Sequence, residues 1–153
     1  MIKKLLRNIK VLLLRLLRIN DSVHGIAIGF TVGALVNFVP TFGFGPVLSA
    51  AGARLVKGNP VAGFIGGLLF LWAFPMLFYL NIVVGHALLM VMKFMIPLVG
   101  ERFAGELLIW QAFVLGMLIN LLLFGMSIYI IIYFFMKKYR YDILMFIYRK
   151  WKI

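Results

Sequence analysis

The chain has 153 residues, 65% hydrophobic and 16% aromatic, with sixteen lysines and arginines against four acidic residues. A soluble domain of this size cannot bury so much apolar surface, because small domains leave a large share of their area exposed; a bilayer is the expected solvent and one compact membrane domain the expected unit. The net charge of +12 is concentrated at the two ends, six cations before Asn20 and six after Met136, which points to anionic headgroups rather than nucleic acid as the partner.

Cysteine is missing from the sequence, which excludes disulfides, thiolate metal sites and cysteine nucleophiles. Arginines recur through the N-terminal stretch, so a signal peptide is not expected there. Residues 2–18 instead fit an amphipathic helix. At 100° per residue, Lys3, Lys4, Arg7, Lys10, Arg15 and Arg18 fall within an arc of about 140°. Ile2, Leu5, Ile9, Leu12, Leu13 and Leu16 fall opposite, with Val11 and Leu14 intruding on the basic side. Such a helix either lies in the interface with its cations on phosphates or acts as a charge cluster that orients the protein.

Asn20-Asp21-Ser22 supplies cap chemistry for a helix over 23–38. At 1.5 Å per residue that helix is about 25 Å long, a little short of a bilayer core. Gly25, Gly29 and Gly33 form a small-residue row that lets another backbone approach closely. Pro40, Gly43, Gly45 and Pro46 break the helix, and Pro46 can start the next one, over 47–56. That helix spans only about 15 Å. Gly45, Ser49 and Ala53 form a second small-residue row, expected to face the first. Arg54 and Lys57 end the helix, where cations suit its dipole. A tightly packed or re-entrant hairpin satisfies these lengths better than two ordinary spans, provided protein or a wet cavity covers its tip.

Gly58-Asn59-Pro60 restarts the chain into a second unit, interrupted at Pro75 and ending near Pro97. Placing Pro75 on Pro40 brings Pro60 onto Gly25, which predicts two related units of about 35 residues. A loop through Glu101 and Arg102 leads to a long final helix over 104–136, then to a basic aromatic tail over 137–153. The expected fold is therefore an all-α membrane protein. Its parts are an interfacial helix over 1–19, a membrane domain over 20–103 holding two proline-broken helical hairpins (20–58 and 59–97), a long C-terminal transmembrane helix and an interfacial tail. The distribution of lysine and arginine places both termini in the cytoplasm, which requires an even number of crossings. One broken unit should then cross while the other returns.

Constellations for catalysis or metal binding are not found. His24 and His86 have no ligand spacing, Ser22, Ser49 and Ser127 have no activating motif, and Glu101 and Glu106 read as a loop and a helix start. The protein is expected to be neither an enzyme nor a cofactor carrier. Binding is the better prospect. Arg54 and Lys57, with Gly43, Gly45 and Asn59, can hold a lipid phosphate beside the hairpin break, or the two cations can snorkel to headgroups. Asn37, Asn59, Asn81 and Asn120 either meet a ligand or join helices by hydrogen bonds. Trp72, Trp110 and Trp151 read as interfacial anchors, and the nine methionines as gap fillers.

The order Ala27-Ile28-Gly29-Phe30, Pro40, Gly43, the small run 50–53, Arg54, Asn59 and Pro75 resembles a bacterial membrane family catalogued as domain of unknown function two-thousand-sixty-two, over roughly residues 3–95. Two features depart from its pattern: Phe74-Pro75 stands where an Asn-Pro is common, and Phe44 where a polar residue is common. The resemblance implies a polytopic protein of the bacterial inner membrane. Relatives joined to glycosyltransferase-like domains associate it with lipid-linked sugar or polyprenyl-phosphate metabolism. The leading expectation is a transporter or flippase-like protein for an anionic lipid such as a polyprenyl phosphate. The alternative is a non-catalytic scaffold or accessory subunit of a lipid- or glycan-modifying enzyme. Expected partners are membrane lipids, with a homo-oligomer or a membrane enzyme as the protein partner.

Overall fold

A computed structural model describes residues 22–41, 43–95 and 107–151. The amphipathic helix expected over 2–18, with Lys3, Lys4, Arg7, Lys10, Arg15 and Arg18, lies outside the described residues, as does the loop through Glu101 and Arg102. Every regular element among the described residues is helical.

Helix α1, Val23–Leu35, tightens into a 3-10 turn, Val36–Phe38, so the helical path ends where Pro40 requires it to. Its N-cap is Ser22, whose hydroxyl accepts from the Gly25 N–H at 3.0 Å, a contact of the kind that contributes about 1 kcal/mol. After a turn in which Gly43 takes φ +92, helix α2 runs from Gly45 to Leu55, two residues earlier than its expected start, with Pro46 in its first turn. The α2 C-terminus closes through Lys57, at φ 59, and a bond from the Gly58 N–H to the Ala53 carbonyl at 2.8 Å. Helix α3, Pro60–Phe70, begins on Asn59, whose Oδ1 accepts from the Val61 and Ala62 N–H groups at 2.7 and 2.9 Å.

The second unit differs from expectation. A 3-10 turn, Leu71–Ala73, joins α3 directly to helix α4, Phe74–Met95. The two do not fold back on each other, and Pro60–Met92 forms one apolar helix of 33 residues. Pro75 is harmless here because it occupies the second position of α4, where an N–H has no necessary helical acceptor. The predicted repeat survives in one detail: the 3-10 turns at 36–38 and 71–73 are separated by 71 − 36 = 35 positions. Pro40 is followed by a glycine that reverses the chain and Pro75 by residues that continue the helix, so only the first unit is a hairpin.

Helix α5 runs from Leu107 to Trp151, 45 residues, carrying the helix through the basic segment expected as a separate tail. Neither glycine nor proline occurs after Gly125 to interrupt it. Helices α4 and α5 pack antiparallel, as do α1 and the following part of α5. The two contacts that set α4 against α5 are backbone to backbone: a Cβ on Gly85 would strike the Ala112 carbonyl, and one on Gly116 the Asn81 carbonyl. The small-residue rows of the hairpin converge on α3. Gly29 lies against the Asn59 backbone and Gly33 against Gly63, while Ser49 and Ala53 meet Gly63 from the other side. A Cβ on Gly25 would meet only Ser22 Oγ at 3.4 Å, and Gly25 instead meets the start of α3 through its carbonyl, which accepts from the Asn59 N–H. The expected direct meeting of the two rows is thus largely replaced by a third row, Gly63 and Gly67, lying between them.

This is an all-α membrane protein in which two helices, Pro60–Met92 and Ile109–Ile143, are long and apolar enough to cross a bilayer. The start of α1, the end of α2 and the start of α3 share one end of the molecule with the 129–141 portion of α5. The hairpin tip instead meets the middle of both long helices: Phe38 packs on Phe124, with ring centroids 5.2 Å apart, and its carbonyl accepts from Asn81. Along α5, Phe124 is about 20 Å from Lys137 and about 25 Å from Leu107.

Gly116→Leu is expected to force α4 and α5 apart, at a cost of about 3 kcal/mol or more. Gly125→Ala meets only the flexible end of Leu35, 3.2 Å away, and should leave stability within about 0.5 kcal/mol. Thermal unfolding of the two detergent-solubilised variants, followed by circular dichroism, compares them.

Candidate functional site

Ending a helix inside an apolar surround exposes carbonyls that no water can reach, and each must find a donor within the protein. Asn37 sits in the 3-10 turn at this point, 1% exposed. Its Nδ2 donates to the Gly33 carbonyl at 3.2 Å, the Ala34 carbonyl at 3.4 Å and, across to α3, the Gly67 carbonyl at 3.2 Å. The last contact has a backbone cause: the Leu71 N–H turns to the Leu68 carbonyl, leaving Gly67 without its usual helical donor. Ser49 Oγ adds a bond from α2 to the Gly33 carbonyl at 2.9 Å.

The network continues into the long helices. Asn81 Nδ2 donates to the Phe38 carbonyl at 3.0 Å, and Asn120 Nδ2 donates to Asn81 Oδ1 at 2.9 Å. Asn37, Ser49, Asn81 and Asn120 are all at most 2% exposed. The asparagines at 37, 81 and 120 therefore join helices, and the hairpin tip is tied to both long helices by side-chain amides. Asn37 Oδ1 is the exception: it is buried without a hydrogen-bond partner.

The residues expected to hold a phosphate are divided between two places. Gly43 and Gly45 lie at the tip, the first exposed at the turn and the second buried. Arg54 and Lys57, both exposed, lie at the opposite end of α2. The helical rise from Gly45 to Arg54 is about 14 Å, so one headgroup phosphate cannot touch the break and the guanidinium together. Asn59 belongs to the Arg54 end, 2% exposed, with its Oδ1 engaged in capping α3 and its N–H bonded to the Gly25 carbonyl at 2.8 Å. The packing residues Gly29, Gly33, Ser49 and Ala53 lie between these two places, against α3.

His24 is exposed at the basic end, where Nδ1 meets the Tyr129 hydroxyl at 2.7 Å and the rings pack edge to face. It links α1 to α5. Trp72 and Trp110 are 89% and 63% exposed, as rings facing lipid would be. No group of three or more metal-ligating side chains occurs among the described residues. Neither the role of the Gly67 carbonyl nor that of Thr41, whose Oγ1 lies at the tip beside Gly45, is legible in the sequence. Backbone acceptors carry no residue-type signal, and Thr41 becomes notable only once the turn is folded.

Asn120→Leu leaves Asn81 Oδ1 without its donor and should destabilise the protein by about 0.5–2 kcal/mol. In a double-mutant cycle with Asn81→Leu, a coupling of about 1 kcal/mol is expected. Reversible unfolding in mixed micelles measures it, and additive losses would contradict the network.

No curated protein and no solved structure matches the chain. A family model described as "Uncharacterized protein conserved in bacteria (DUF2062)" matches residues 6–142, beyond the span of the sequence resemblance and through most of α5. The asparagine-tied hairpin, the Pro60–Met92 helix and most of α5 fall inside that match, and the chain belongs to this DUF2062 family.

Proposed function

We propose that the protein is an integral, non-enzymatic component of the bacterial cytoplasmic membrane that carries anionic lipid headgroups, such as a polyprenyl phosphate, into the bilayer. In this reading the α1–α2 hairpin is re-entrant, the α3–α4 helix and α5 cross, and both termini are cytoplasmic. The observation that carries it is the position of the tip, beside the middle of both long apolar helices and backed by buried amides. A purely anchoring segment has no need to place costly polar groups at that depth. The sharing of one end by Val23 and the Lys137–Arg140 stretch also supports two complete crossings.

The 14 Å division changes the mechanism from a single site to a path. Arg54 and Lys57 capture the headgroup at the cytoplasmic surface, and the N-terminus of α2, which no side chain caps, receives it at depth.

A second reading is favoured by the helix beyond Met136. It continues for fifteen residues to Trp151 with Lys137, Lys138, Arg140 and Arg149, about 22 Å of cytoplasmic rod. That rod suits an accessory subunit holding a lipid- or glycan-modifying enzyme. Recovery of one stoichiometric enzyme in a pull-down, without lipid movement by the protein alone, would select this reading.

Because the chain has no cysteine, topology can be read with single-cysteine variants. Leu55→Cys and Lys138→Cys should react with an impermeant maleimide in inverted vesicles and not in intact cells; labelling of either from outside would refute the topology. In proteoliposomes holding a fluorescent anionic lipid, Arg54→Ala should slow movement between leaflets by about tenfold, the effect of losing one charge-assisted contact. Equal rates in protein-free vesicles and in vesicles with the wild-type chain would end the transport reading.

A further inference from the structure

The unpaired oxygen of Asn37 has a defined orientation. Three carbonyls, of Gly33, Ala34 and Gly67, surround one end of its amide, and only the NH2 end can face them. The Oδ1 end is thereby turned toward the start of α2. A Cβ built on Gly45 would lie 3.3 Å from Asn37 Oδ1 and 3.2 Å from Thr41 Oγ1. Three features thus converge at the tip. They are a buried acceptor without a donor, a hydroxyl, and the first turn of an eleven-residue helix with no side-chain cap.

These features select the chemistry of an occupant. A helix N-terminus favours an electron-rich oxygen. Asn37 Oδ1 accepts only, so it needs an O–H or N–H donor. A fully ionised phosphate satisfies the first and opposes the second, and an ammonium does the reverse. A protonated oxygen on an electron-rich headgroup satisfies both. We propose that the space bounded by Asn37, Thr41 and Gly45 is a binding site for the O–H of a lipid headgroup, either the P–OH of a phosphate monoester or a headgroup alcohol. The site rests on the re-entrant placement of the hairpin, and gives that reading a substrate rule: the headgroup arrives at the tip carrying a proton.

Gly45 makes the site possible. The methyl group of Gly45→Ala would press on both oxygens, 3.3 Å from Asn37 Oδ1 and 3.2 Å from Thr41 Oγ1, and so obstruct them while sparing the three Asn37 donor bonds. Thr41→Val removes the hydroxyl at nearly constant volume.

The test is lipid retention by the full chain in native mass spectrometry. It compares dioleoyl phosphatidic acid, which has a P–OH, with phosphatidylglycerol, which has alcohols and no P–OH, and with phosphatidylcholine, which has neither. Wild type should retain one of the first two at least about tenfold over phosphatidylcholine, and Gly45→Ala should remove most of that preference. Preference for phosphatidic acid assigns the P–OH, and preference for phosphatidylglycerol the alcohol. If Gly45→Ala does not fold by circular dichroism, Thr41→Val takes its place, with a loss of about threefold or more expected. Equal retention of the three lipids, or preference unchanged in the folded variant, overturns the site. Retention is an equilibrium reading, so it can succeed where leaflet-to-leaflet movement fails, and Arg54→Ala in parallel separates attraction at the surface from recognition at the tip.

Discussion

The structure depends on satisfying backbone carbonyls where a helix stops among apolar neighbours. A helix that ends in water leaves its last acceptors to solvent; one that ends beside the middle of two apolar helices cannot. Asn37, Ser49 and Asn81 supply the donors at the hairpin tip, and Asn120 completes Asn81. Each bond is modest, but an unmade one costs about 1–3 kcal/mol. The tip is therefore held in one place relative to α3, α4 and α5.

These amides reach their acceptors only because the helices lie unusually close together. Gly33 against Gly63, and Gly116 against the Asn81 carbonyl, bring backbones into contact that any side chain would prevent. Apolar side chains alone would not choose this arrangement in lipid, where helix and acyl chain are equally apolar. Small residues set the distance and buried amides set the register. The hairpin's position follows from both.

The local punctuation was legible residue by residue. Ser22 caps α1, Pro40 ends its helical path, Pro46 lies in the first turn of α2, and Gly58-Asn59-Pro60 starts α3, each from stereochemistry that needs no neighbours. Pro75 shows the limit of such reading. Proline forbids one backbone geometry without choosing among those left, and at the second position of α4 a straight continuation was available. The first glycine row was legible as a close-approach surface, yet its partner was not, since three segments offered suitable small residues and α3 took the place between the other two. For Asn37, Asn81 and Asn120 the sequence indicated costly polar groups in apolar surroundings without indicating that they would line up across four helices.

By itself, the sequence determined the helical class, the breaks and an apolar composition suited to a bilayer, because composition and proline and glycine stereochemistry act locally or as sums along the chain. Tertiary structure decided which broken unit reverses and which helix fills the space between the glycine rows. Those outcomes depend on which surfaces can approach to backbone contact while leaving every buried carbonyl a donor. That condition is met by pairs of segments far apart in sequence, and no single stretch of the chain contains it.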